Sequence, residues 1–122
     1  MSRTILIVDD SASAQQLVRL TLSGAGYNVI QAGNGAEGLA KARAGGFDMV
    51  LTDLNMPVMN GIEMIKEIRK LPTGKGVPIV FLTTESDAGL KAEAKSAGAT
   101  AWITKPFQQD QLLSLLKKVL GA

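Results

Sequence analysis

The chain contains no cysteine and no histidine. The first absence removes disulfides and thiolate chemistry. The second removes imidazole acid–base catalysis, histidine-centred triads and histidine-ligated zinc. Aromatic side chains are sparse: Phe47, Phe81, Phe107, Tyr27 and Trp102 are the full set. The charge is nearly balanced, 13 basic residues against 11 acidic for a net +2, so no concentrated basic stripe is on offer to nucleic acid. No apolar run approaches the ~20 residues of a membrane span. The opening segment Met1 to Asp10 reads as a strand closed by two acids, not as a signal peptide. These absences are compatible with a cytoplasmic home.

What is present is 122 residues, 46 % of them apolar. That length predicts one domain with a real core and no room for an appended output or recognition module. Thr4 to Val8 is a β-branched run that stops at Asp9-Asp10. Ser11 or Ser13 can cap a helix whose buried face is Leu17, Val18, Leu20 and Thr21, ended by Gly24 and Gly26. Tyr27 to Ala32 is a short strand. Asn34 to Ala44 is helical, with Ala36, Leu39, Ala40 and Arg43 at helical spacing. Phe47 to Asp53 is an apolar strand ending in a carboxylate, followed by a turn through Pro57 and Asn60-Gly61. Gly61 to Lys70 is a helix with Ile62, Ile65 and Ile68 inward, and Leu71 to Gly76 is a loop.

Val77 to Leu82 is the next strand, ending at Thr83-Thr84, with Pro78 tolerable near its start. Ser86 caps a helix over Asp87 to Ala97, ended by Gly98. Ala101 to Thr104 is the last strand, stopped by Lys105-Pro106. A helix from about Gln109 to Leu120 presents Leu112, Leu116, Val119 and Leu120 as its stripe. Five strands and five helices in strict alternation mean right-handed crossovers: an α/β, (βα)5 doubly wound parallel sheet with helices on both faces.

In a parallel sheet the strand C-termini share one edge, where open α/β sheets bind their ligands. That edge collects Asp9, Asp10 and Asp53, the hydroxyls of Thr83 and Thr84, and the ammonium of Lys105. Three crowded carboxylates repel unless a cation lies between them. Oxygen ligands without histidine or cysteine favour Mg²⁺, or Mn²⁺. Lys105 and Thr83 are then placed to hold an anion, and Asp53 to act as a nucleophile toward phosphorus.

Taken as an ordered set, Val8-Asp9-Asp10-Ser11, Asp53-Leu54-Asn55-Met56-Pro57 with Asn60-Gly61, Thr83-Thr84-Glu85 and Lys105-Pro106-Phe107 resemble the response-regulator receiver domains. The likeness runs end to end and is strongest to the free-standing, CheY-like chemotaxis regulators. It implies the flavodoxin-like strand order 2-1-3-4-5. It implies that Asp53 is the phosphoacceptor, and that Asp10, Asp53 and the Asn55 main-chain carbonyl bind Mg²⁺ directly, with Asp9 acting through water. Thr83 and Lys105 would hold the phosphoryl group, and Lys105-Pro106 would be a cis peptide. The donor would be a phosphohistidine on a sensor kinase. A downstream target, foremost the flagellar motor switch, would be the partner, with a phosphatase as a further one and a monomer as the expected state. The receiver would assist its own phosphotransfer and dephosphorylation without being an enzyme proper.

Two departures stand out. Trp102 occupies a position where such receivers carry Tyr or Phe as a switch ring, and its indole N–H needs a partner when buried. Thr84 follows the switch threonine where a small residue is usual. Asn55, Thr84 and Glu85 flank the pocket and would tune the lifetime of the acyl phosphate. The output face would comprise Lys91, Lys95, Trp102 and Lys118, the first two sharing a helix face. Other readings are a phosphorelay intermediate or phosphate sink, a non-phosphorylated interaction module, and a nucleotide- or flavin-binding protein. The last wants a Gly-rich phosphate loop where Asp9-Asp10 stands.

Overall fold

The computed structural model describes residues 3–121. Strand β1 (Thr4–Val8) leads to α1 (Ala12–Gly24), β2 (Asn28–Ala32), α2 (Gly35–Ala44), β3 (Met49–Thr52) and α3 (Gly61–Ile68). A 3-10 turn (Pro72–Gly74) precedes β4 (Ile79–Thr83), α4 (Ala88–Ala97), β5 (Ala101–Thr104) and α5 (Gln109–Leu120). The strands form one parallel sheet in the order β2-β1-β3-β4-β5. Register sets Val8 beside Thr52 and Thr83 beside Thr104, so the strand ends meet at a common edge.

Strand periodicity divides the core. Leu6, Val8, Val50, Ile79 and Phe81 face one side, with Leu39, Ile62, Ile65, Ile68 and Ala94 from α2, α3 and α4. Ile5, Ile7, Leu51, Val80 and Leu82 face the other, with Val18, Leu22, Leu112 and Leu116 from α1 and α5. Burial on both faces explains why these strands show no polar alternation.

Side-chain caps fix four helix starts. Ser11 accepts from Ala14 N, and Asn34 accepts from Glu37 N. Asn60 and Glu63 form a reciprocal capping box. Helix α4 is capped by Asp87, accepting from Leu90 N at 2.9 Å, and not by Ser86. Helix α1 is rotated from the expected face: Val18, Thr21 and Leu22 are buried, whereas Leu17 and Leu20 are 51 % and 54 % exposed. Thr21 can be buried because its hydroxyl donates to the Leu17 carbonyl at 2.9 Å. Helix α2 turns Gly35, Gly38, Leu39 and Ala42 inward, not Ala36, Ala40 and Arg43. A Cβ on Gly38 would lie 2.7 Å from Met64 Sδ and 2.9 Å from Val8 Cγ2, so the helix approaches the sheet too closely for a side chain there.

Arg69 closes the far end of the sheet without a carboxylate. Its guanidinium donates to the carbonyls of Gly74 (2.9 Å), Val77 (2.6 Å) and Gly98. Burial pushes its pKa below the ordinary arginine value.

Candidate functional site

Asp9 follows the last residue of β1 and is 4 % exposed. Its Oδ1 accepts from Ser11 N at 2.9 Å, and its Oδ2 accepts from Lys105 Nζ at 2.8 Å. Lys105 follows β5, and its peptide bond to Pro106 is cis. Asp53 follows β3. Its Oδ1 accepts from Leu54 N at 2.7 Å, while Oδ2 lies 3.6 Å from Lys105 Nζ. Asp10 is exposed, and carboxylate oxygens of Asp9, Asp10 and Asp53 lie within 4.8 Å of one another. One ammonium among three carboxylates leaves an excess of negative charge. The donor set is all oxygen, which suits a hard divalent cation.

The loop after β3 is shaped for close approach. A Cβ on Gly61 would sit 2.4 Å from the Asp53 carbonyl oxygen and 2.7 Å from Phe81 Cε1. Upstream, Met59 N donates to the Pro57 carbonyl at 2.7 Å around Val58, which has φ +72° and is 84 % exposed. This is a γ-turn with a β-branched residue in the left-handed region, a strained combination.

Thr83 ends β4 and is fully buried, its Oγ1 accepting from Glu85 N at 3.4 Å. Glu85 is a junction: its carboxylate accepts from Asn55 Nδ2 at 3.0 Å and its main-chain carbonyl from Trp102 Nε1 at 3.1 Å. The indole donor therefore has its partner with the ring only partly buried, 5.2 Å from the Phe81 ring. Thr84 is exposed and lines an apolar cavity of about 360 Å³ with Leu17, Lys105 and Phe107. On the α4–β5 side, Lys91, Lys95 and Trp102 line a second groove, of about 250 Å³, and Lys91 Nζ lies 5.9 Å from the indole centroid. Lys118 is exposed on α5 and does not line that groove.

Sequence reasoning passed over Gln15. Its carboxamide nitrogen donates to the main-chain carbonyls of Asp9 (2.7 Å) and Ala32, and its oxygen accepts from Gln31 Nε2 at 2.9 Å. A glutamine four residues after a cap carries no pattern that separates it from any solvent-facing glutamine of a helix.

The family model for the response regulator receiver domain matches residues 5–117. The chain belongs to that family. As a receiver it is 39 % identical over 119 residues to the chemotaxis protein CheY1 of Helicobacter pylori, covering 96 % of each chain. The solved chemotaxis protein CheY4 of Vibrio cholerae is 45 % identical, with a TM-score of 0.93 over 98 % of this chain and 99 % of that one. The receiver domain of a sensor histidine kinase from Pseudomonas aeruginosa is 29 % identical, with a TM-score of 0.92 over the whole of both chains. That structure has a magnesium ion coordinated in its active-site cleft. Among the described residues of this receiver, no helix is long and apolar enough to cross a membrane.

Proposed function

We propose that this receiver is a phosphorylation-activated switch of chemotaxis signalling. Asp53 is the phosphoacceptor and a histidine kinase is the donor. A carboxylate oxygen of Asp53 attacks phosphorus, the P–N bond to the donor imidazole breaks, and the imidazole leaves with that electron pair, its other nitrogen carrying the proton. The observation that carries the reading is the placement of one ammonium, Lys105 Nζ, 2.8 Å from Asp9 and 3.6 Å from Asp53 at a strand-end edge.

Asp9, Asp10, Asp53 and the Asn55 carbonyl are the groups to hold Mg²⁺, which would neutralise charge on the transferring oxygens. Lys105, beside Asp53, supports that charge with its ammonium. Thr83 donates its hydroxyl to the phosphoryl group, and moving toward it draws on the long contact its oxygen accepts from Glu85 N, in the segment that Trp102 also holds. That couples the acceptor to the groove of Lys91, Lys95 and Trp102, the proposed docking face, with Lys118 at its margin. The two chemotaxis relatives support the flagellar motor switch as the target class. Asn55 and Glu85, hydrogen-bonded to each other, and Thr84, which lines a cavity with Lys105, tune the lifetime of the acyl phosphate.

The test is incubation with Mg²⁺ and acetyl phosphate, read by intact mass and by the fluorescence of Trp102, the single tryptophan. One added phosphoryl group is expected, absent without metal and absent in Asp53→Asn. Failure to gain it, together with failure to bind beryllofluoride, overturns the reading in favour of a non-phosphorylated interaction module.

A further inference from the structure

Every polar atom of Asp9 is held by a different part of the chain. Its N–H donates to the Ala32 carbonyl at 3.1 Å, Oδ1 accepts from Ser11 N, and Oδ2 accepts from Lys105 Nζ. Its own carbonyl accepts from Gln15 Nε2 at 2.7 Å. The same Gln15 nitrogen reaches the Ala32 carbonyl, so one carboxamide ties the C-terminal ends of β1 and β2 together. Gln31, on β2, donates to the Gln15 oxygen at 2.9 Å and so fixes which way the amide points. No flip of either glutamine preserves all three bonds. Asp10 is the next residue, and its carboxylate is exposed. Its direction is therefore set by the main chain that Gln15 clamps.

We propose that Gln15, locked by Gln31, is a positioning residue for the metal site: it holds the Asp9–Asp10 backbone so that the Asp10 carboxylate stands ready beside Asp53. This rests on the reading of the acidic cluster as a Mg²⁺ site. Outer partners that orient ligating carboxylates commonly change metal affinity by about 10- to 100-fold when removed. Bonds to two main-chain carbonyls need N–H donors, and the lock from Gln31 needs an acceptor; a thioether lacks the donors.

Mg²⁺ is titrated calorimetrically into the wild-type chain, Gln15→Met and Gln31→Met, each first checked for cooperative thermal unfolding in EDTA. Gln15→Met is expected to weaken Mg²⁺ about tenfold. Gln31→Met should weaken it by a smaller factor, because the amide keeps its donors but loses its lock. A purely structural role would lower the unfolding temperature of the two Met variants and leave their metal affinity unchanged, and that result overturns the proposal. A wild-type chain that takes up no Mg²⁺ overturns the underlying reading instead, which separates the two failures.

Discussion

Replacing Lys105 with methionine keeps an unbranched side chain one atom shorter and removes its charge. In the native arrangement the ammonium serves two carboxylates, at 2.8 Å from Asp9 and 3.6 Å from Asp53. The three side chains are 17 %, 5 % and 15 % exposed, so water reaches them only in part. Removing one partner of a fully buried pair costs about 3–5 kcal/mol because the other charge is left uncompensated. Partial solvent access trims that to about 2–3 kcal/mol here. For a domain of 122 residues, that is a fall in unfolding temperature of about 8–12 °C. Circular dichroism melts in EDTA measure it. Adding Mg²⁺ should then help the variant more than the wild type, because no ammonium competes for the carboxylates. At 100 times its dissociation constant, a bound ion contributes about 2.7 kcal/mol, enough to restore the loss. A variant melting within about 2 °C of wild type in EDTA refutes the argument. So does a Mg²⁺-induced rise no larger than that of wild type.

The loop and switch segments give three more tests. Val58→Asn should stabilise the fold by about 1 kcal/mol, because asparagine tolerates φ +72° and an 84 % exposed valine has little packing to lose. A urea midpoint that falls or stays put counts against stored strain. Gly61→Ala should destabilise by about 2–3 kcal/mol and lower Mg²⁺ affinity, since the new methyl meets the Asp53 carbonyl. Unaltered stability and affinity would show that the loop yields freely. Trp102→Phe leaves the Glu85 carbonyl without its indole donor, at a cost of about 1 kcal/mol, and should speed amide exchange from Glu85 to Asp87. Unchanged exchange there would mean that the bond does not hold the segment.

The strand ends were readable from sequence because a parallel sheet converts order along the chain into position in space. Every strand run but β2 is closed by a polar residue, and Asp9, Asp10, Asp53, Thr83 and Lys105 needed only the topology to be placed on one edge. Helix faces were less readable. In α1 apolar residues lie on both sides of the stripe, and spacing alone does not say that Leu17 and Leu20 stay half exposed while a threonine goes in. In α2 the decisive residue is Gly38, whose missing side chain makes room for Met64 and Val8 from distant parts of the chain. Ser86 and Asp87 are adjacent residues of capping type, and only the geometry chooses Asp87. Gln15 and Arg69 act on main-chain carbonyls, whose positions no side-chain pattern announces.

The contact between Asp9 and Lys105 spans 96 positions of the chain. Asp9 is in place with the first strand to be made, whereas Lys105 waits for the last, which sits at the edge of the sheet. From the addition of Asp53 to the addition of Lys105 the three acids exist without the ammonium that lies beside Asp9 and Asp53. The ammonium joins the carboxylates only when β5 docks, so on the function proposed above a chain that stops short of β5 carries the acceptor without its cation.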